Sequence, residues 1–212
     1  VIFLIFVQMD VDFDFTNFFW LFAISAVLFT GLSLILVIGW NKQTLVSFLS
    51  IVIGTTMAMA IGIGILNLTG NNGIHYEALD YATQQPEQLF LSATIIGLLG
   101  AVLDASTDIV STLFELKRTQ PDISAKQLFK SGQGVGHAIM GPLINVLLMI
   151  FFAETFAIAV LYFRTGNTYG YTFAWAMGLG VAQALISGIG ITLVIPTASF
   201  LCSRFLSGRR AG

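Results

Sequence analysis

The stretch GLLGAVLDASTDIVSTLFELKR, Gly97 to Arg118, decides the fold. It is apolar enough to enter a bilayer, yet it carries two carboxylates, Asp104 and Asp108, one helical turn apart. An Asp at the centre of a transmembrane helix costs about 2.5–3.5 kcal/mol, so such a residue normally faces protein or a watery cavity and marks a functional site. Residues three and four apart share one side of a helix. Gly97, Gly100, Ala101, Asp104, Thr107, Asp108 and Ser111 therefore form a small and polar stripe. Leu98, Leu99, Val102, Leu103, Ile109, Val110 and Leu113 form the other side, suited to lipid or to apolar packing. The expectation is that the acids point at protein.

The rest of the chain shares this character. Of its 212 residues 56% are hydrophobic and 9% charged, with a mean hydropathy of +0.88, whereas soluble domains carry about 25% charged residues. This is the composition of an all-α polytopic membrane bundle, read as a single transmembrane domain over residues 1–212. At about 20 residues per span, long apolar runs predict five full spans at 17–39, 45–68, 89–113, 133–156 and 173–201. The apolar run Val1 to Val7 is too short to cross and reads as the outer end of an earlier, truncated span. No basic n-region or small-residue cleavage site marks a secretory signal.

Several function classes find no support. A net charge of −2 gives no basic face for nucleic acid, and the lone Cys202 cannot form an internal disulfide. The only histidines, His75 and His137, fall on opposite membrane sides, so no metal ligand set is present and no cofactor motif stands out. An intramembrane aspartyl protease needs two acids approaching from different helices, whereas Asp104 and Asp108 share one. A non-enzymatic role is expected.

Lys and Arg accumulate in cytoplasmic loops. Lys42, Lys117, Arg118, Lys126, Lys130, Arg204, Arg209 and Arg210 all fall on one side of the five-span plan, and Arg164 alone lies opposite. That places the 114–132 loop and the C-terminus in the cytoplasm, with Asp10, Asp12, Asp14, Glu77, Asp80 and Glu87 outside. Within the loop, Ser124 and Gln127 fit a capping box. It predicts a short amphipathic helix lying along the membrane surface, with Leu128 and Phe129 on its apolar side.

The fourth span supplies a second small and polar stripe, Gly134, His137, Ala138, Gly141 and Asn145. Counting inward from the cytoplasmic loop, Asp108 matches His137 at shallow depth and Asp104 matches Asn145 deeper. The expectation is a polar track in which Asn145 hydrogen-bonds Asp104 and His137 sits near Asp108. The bland readings are that Asp108 is a solvated boundary acid, that His137 is a packing residue, and that Gln183 bonds a neighbour. Pro142 is expected to kink its helix. Gly54, Ala58 and Gly62 follow small-xxx-small spacing, which predicts close helix packing.

The block LLGAVLDASTDIVSTLFELKRTQPDISAKQLFKSGQGVGHAIMGPLINVLLM, Leu98 to Met149, resembles the signature region of the YibE/YibF-like bacterial membrane proteins. The residues that carry the resemblance are Gly97, Gly100, Asp104, Glu115, Pro121, Ser131, Gly132, Gly136, Met140, Gly141 and Asn145. The chain departs from the pattern at Ala138, where the family has an acid, at His137, where it has arginine, and at Asp108, where a small polar residue is usual. The resemblance implies a multipass protein of the bacterial plasma membrane, partnered by a paired YibE/YibF-like protein or by its own copies. A fainter analogy runs to the membrane half of resistance-nodulation-division transporters. Acids in a protein-facing stripe beside glycine-rich helices point to a transporter or transport subunit, in which Asp104, Asp108, Asn145 and His137 are the candidate proton or cation site, with Gly97, Gly100, Gly136 and Gly141 as helix-packing glycines. The alternative is a structural or regulatory subunit without transport activity.

Overall fold

The computed structural model describes residues 18–70, 75–76 and 86–207. The Val1 to Val7 run, the acids at 10, 12, 14, 77 and 80, and Arg209 and Arg210 lie outside the described residues. The elements are α1 (Phe18–Ile38), α2 (Lys42–Leu68), α3 (Pro86–Thr119), α4 (Ala125–Arg164), a four-residue turn of helix α5 (Tyr169–Thr172), a π-helical turn (Phe173–Met177) and α6 (Gly178–Ser207). Five segments are long and apolar enough to cross a membrane, the last running from Tyr169 to Leu206. The all-α, five-span architecture expected from the apolar runs is what the chain adopts.

Helix α6 is the hub, packed against α2, α3 and α4, while α1 lies outside on α2 and α3. Lipid offers membrane helices no hydrophobic drive to associate, so close van der Waals contact has to hold them together. Small residues provide it. A Cβ added to Gly54 would meet the Val194 side chain at 3.2 Å, and one on Gly62 would meet Ile186 at 3.0 Å. Gly190 lies so close to Leu98 that a Cβ there would overlap it. The centre is dry: Leu98, Val102, Ile109, Val110, Leu113, Ile191 and Val194 are fully buried.

Buried hydroxyls are mostly satisfied within their own helices. Ser50 donates to the Val46 carbonyl at 2.7 Å and Thr94 to that of Phe90 at 2.7 Å, the back-bonding that makes such residues tolerable inside a helix. Ser106 on α3 instead reaches across to the Ser47 carbonyl on α2 at 3.4 Å. Gly39, at φ 86°, provides the left-handed turn that ends α1 and lets α2 start at Lys42.

One expectation is corrected. The Ser124 capping box forms, with the Ser124 hydroxyl accepting from the Gln127 amide and the Gln127 side chain accepting from the Ser124 amide. The helix it opens is no separate surface segment, for it runs unbroken for 40 residues to Arg164. The run Ser131 to Gly136 looks like a turn because it holds three glycines. Two of them are contact points: Gly136 faces Ile195 so closely that a Cβ would overlap it, and a Cβ on Gly132 would stand 2.8 Å from Ser199 Cβ. Packing on α6 outweighs a helix-propensity penalty of about 1 kcal/mol per glycine.

Candidate functional site

The midpoint of α3 falls between Val102 and Leu103. At about 1.5 Å per residue, Asp104 lies about 2 Å and Asp108 about 8 Å from it along the axis. With α3 centred on the bilayer, both fall within the roughly 15 Å half-thickness of the hydrocarbon core. Their sequence neighbours are arranged oppositely to expectation. Leu98, Leu99, Val102, Ile109, Val110 and Leu113 are buried inside the bundle, and Asp104, Asp108 and Gly100 are on the exposed side of the helix. The acids thus do not point into the bundle formed by the described residues. The apolar face is the one that closes on Gly190 of α6, through Leu98 and Val102, and only one face of α3 can turn to that hub.

His137 and Asn145 are likewise exposed, as are Gly134, Ala138 and Gly141 on the same helix. Among the described residues, none of the four polar candidates makes a side-chain hydrogen bond. The neighbouring hydroxyls on α3 look after themselves: Thr107 donates to the Leu103 carbonyl at 2.9 Å and Thr112 to that of Asp108 at 2.7 Å. Measured along each helix from its end at the 120–124 turn, Asp108 lies about 17 Å into α3 and His137 about 18 Å into α4. Asp104 lies about 23 Å in, and Asn145 about 30 Å. Asn145 is therefore about 7 Å deeper along its helix than Asp104 along its own, and the expected bond between them is absent.

The four packing glycines divide. A Cβ on Gly97 would stand 2.8 Å from the Gln183 amide nitrogen, and Gly136 is pressed against Ile195. Gly100 and Gly141 have nothing within 4 Å of where a Cβ would be. Gln183 donates to the Ala93 carbonyl of α3 at 3.4 Å, a polar tie between α6 and α3 whose room is made by Gly97.

Beside the acids, α1 and α3 enclose a groove of about 380 Å³, lined by Ser25, Thr30 and Ser33 of α1 and by Leu99, Gly100 and Leu103 of α3. A larger open cavity, about 1500 Å³, lies at the other chemical extreme, where Lys42, Lys117, Arg118, Glu115 and Asp122 gather at the basic end of the bundle. Most of its charge is engaged: Arg118 pairs with Glu115 at 2.8 Å, and Lys117 donates to the carbonyls of Pro121 at 2.7 Å and Ile123 at 3.2 Å. Among the described residues no group of three or more His, Cys, Asp or Glu side chains is placed to hold a metal ion.

Two features had no counterpart in the sequence reading. The π-helical turn Phe173–Met177 precedes α6, and Trp175 within it stacks on His75 with centroids 4.3 Å apart and rings within 8° of parallel. Nearby, Tyr76 meets Phe90 edge-on. An aromatic residue beside a histidine so distant in the chain gives no sequence signal.

Five apolar spans around a glycine-lined hub, with carboxylates at mid-span, define a multipass α-helical membrane protein. The family model for YibE/F-like protein matches residues 1–208, and the chain belongs to that family. No curated protein and no solved structure matches it.

Proposed function

We propose that the chain is a transport subunit of the bacterial plasma membrane that uses Asp104 as a proton or cation site, completed by a neighbouring membrane subunit. In this reading the α3–α4 turn and the C-terminus are cytoplasmic, and no covalent chemistry is performed. The observation that supports it is the position of Asp104: near the midpoint of α3, on the exposed side and without a side-chain hydrogen bond among the described residues. A charged carboxylate facing lipid there is penalised by about 2.5–3.5 kcal/mol, which a bound proton or a facing donor removes. Loading the acid and moving it between environments are then linked, because each changes the cost of the other. The neighbour is a paired YibE/YibF-like protein or a second copy.

Proton flux driven by a pH gradient, measured in proteoliposomes for the wild type and Asp104→Asn, tests this. Flux lost in the variant supports the site, and equal flux in both refutes it. The second reading, a structural or regulatory subunit, draws on the open glycines Gly100 and Gly141, which suit tight assembly. It predicts that Asp104→Asn weakens association and leaves ion flux unchanged.

A further inference from the structure

The exposed strip of α3 lies between two helices that both pack on it, α1 and α4, and that barely meet each other. On one side is the groove with α1. On its floor Ser25 is only 5% exposed, and its hydroxyl, like those of Ser47, Thr55 and Thr172 elsewhere in the bundle, has no hydrogen-bond partner among the described residues. Thr30, in the same groove, bonds the Ala26 carbonyl at 2.8 Å in the usual way. A hydroxyl buried without a partner is costly, and it suggests an acceptor supplied from outside. On the other side is a ridge of α4, where Gly134, Ala138 and Gly141 are exposed and nothing stands within 4 Å over either glycine. Pro142 lacks the N–H that would bond the Ala138 carbonyl, so this ridge also offers a free acceptor.

Groove and ridge flank the same strip, which makes the face self-complementary. We propose that two copies of this chain pair through it about a twofold axis along the membrane normal, the α4 ridge of each seated in the α1–α3 groove of the other. Such an axis brings unlike patches together twice and leaves every residue at its own depth. Asp108 and His137 lie within about 2 Å of the same distance from the 120–124 turn, so each acid meets the other copy's imidazole. Gly100, about 29 Å along α3, and Asn145, about 30 Å along α4, come level in the same way. Lipid brings no donor to Asp108, whereas a second copy brings the His137 imidazole from a surface that is itself exposed among the described residues. The inference rests on the proposed function only in requiring that the acids be covered by protein.

The test uses the whole chain in membranes, with Cys202→Ala as background and two differently tagged copies expressed together. One copy carries Asp108→Cys and the other His137→Cys. Oxidation is expected to join the two tags far more efficiently than a pair of Leu185→Cys copies, whose cysteines sit on the exposed side of α6. Gly100→Leu and Gly141→Leu start from positions where nothing lies within 4 Å of an added Cβ; with an unchanged melting curve in detergent establishing that each variant keeps its fold, they should cut this cross-linking at least about tenfold, as overpacking worth about 1.4 kcal/mol does. Cross-linking no better than the Leu185 control, capture of a different protein at position 108, or no effect of either leucine overturns the proposal. A chain that is monomeric but loses flux in Asp104→Asn overturns the dimer and leaves the transport reading standing. A dimer whose flux ignores Asp104→Asn does the reverse.

Discussion

Glycines in one membrane helix bundle should respond to the same substitution with opposite signs, and the structure says which. Gly100→Ala places a methyl group where nothing lies within 4 Å. It should stabilise the chain by about 1 kcal/mol, the helix-propensity difference between the two residues. Gly136→Ala gains the same propensity, but its methyl overlaps the Ile195 side chain and stands 3.0 Å from Ile195 Cβ. A β-branched neighbour cannot swing aside as a flexible tail would, and overpacking of this kind costs about 1–3 kcal/mol. The net effect at Gly136 is about 0–2 kcal/mol destabilising, which separates the two variants by about 1–3 kcal/mol. At about 2–4 °C per kcal/mol for a chain of this length, their melting temperatures should differ by about 2–12 °C. The protein carries its own reporter, since Cys202 is the single cysteine and is fully buried. A thiol-reactive fluorophore added during heating of the monomeric chain in detergent reads unfolding directly. Equal melting temperatures, or a higher one for Gly136→Ala, would refute the seating of Ile195 on Gly136.

Other tests follow from the same geometry. Gly97→Ala and Gln183→Leu should be coupled by about 0.5–3 kcal/mol in a double-mutant cycle, because the alanine methyl displaces the amide that bonds Ala93; additive effects would dissolve that tie. Burial, and secondarily the Glu87 carboxylate, hold the Tyr76 phenol above its ordinary 10.0. A group raised in the folded state contributes stability that is complete below its unfolded value and is lost as pH climbs through the folded one. The phenolate absorbance difference between wild type and Tyr76→Phe should therefore appear above about pH 10, and Glu87→Gln should move it down. Glu115→Gln should leave the melting temperature essentially unchanged, because its pairing with Arg118 is exposed; a clear loss in the same melting assay would mean the pair does more. With Trp20→Phe and Trp40→Phe leaving Trp175 alone, His75→Ala should change its fluorescence, because it removes the ring stacked on the indole at 4.3 Å; unchanged emission would deny the stack.

Much of the fold was legible because a bilayer permits few solutions: backbone groups must be satisfied within each span, and an apolar run of sufficient length is a helix. The cap at Ser124 and Gln127 was legible for a local reason, as it involves only neighbours. The length of its helix was not legible, because the amphipathic run from Lys126 to Gln133 suits a membrane surface, while the contacts of Gly132 and Gly136 that hold the helix on α6 involve residues distant in the chain. The face of α3 was harder still. Leucines and valines suit lipid and core alike, so the side carrying Leu98 and Val102 could not be told from a lipid face by its own residues. The deciding signal sat on another helix, in Gly190 opposite Leu98. Of the candidate residues, Asp104 and Asp108 stand out by chemistry alone, but which way they turn was decided by the packing of the opposite face of their helix on α6.

Helix α4 is 40 residues long, about 60 Å, against a hydrocarbon core of about 30 Å. Half of it must overhang the membrane or be taken up by tilt. Its one interior proline, Pro142, sits within a turn of its centre, where the backbone has lost a bond and is easiest to bend. A bend of about 10° there, with the half toward Arg164 held, would carry the tip bearing Lys126 about 4 Å sideways. Because Gly132 and Gly136 are pressed against Ser199 and Ile195, that displacement would have to take α6 with it.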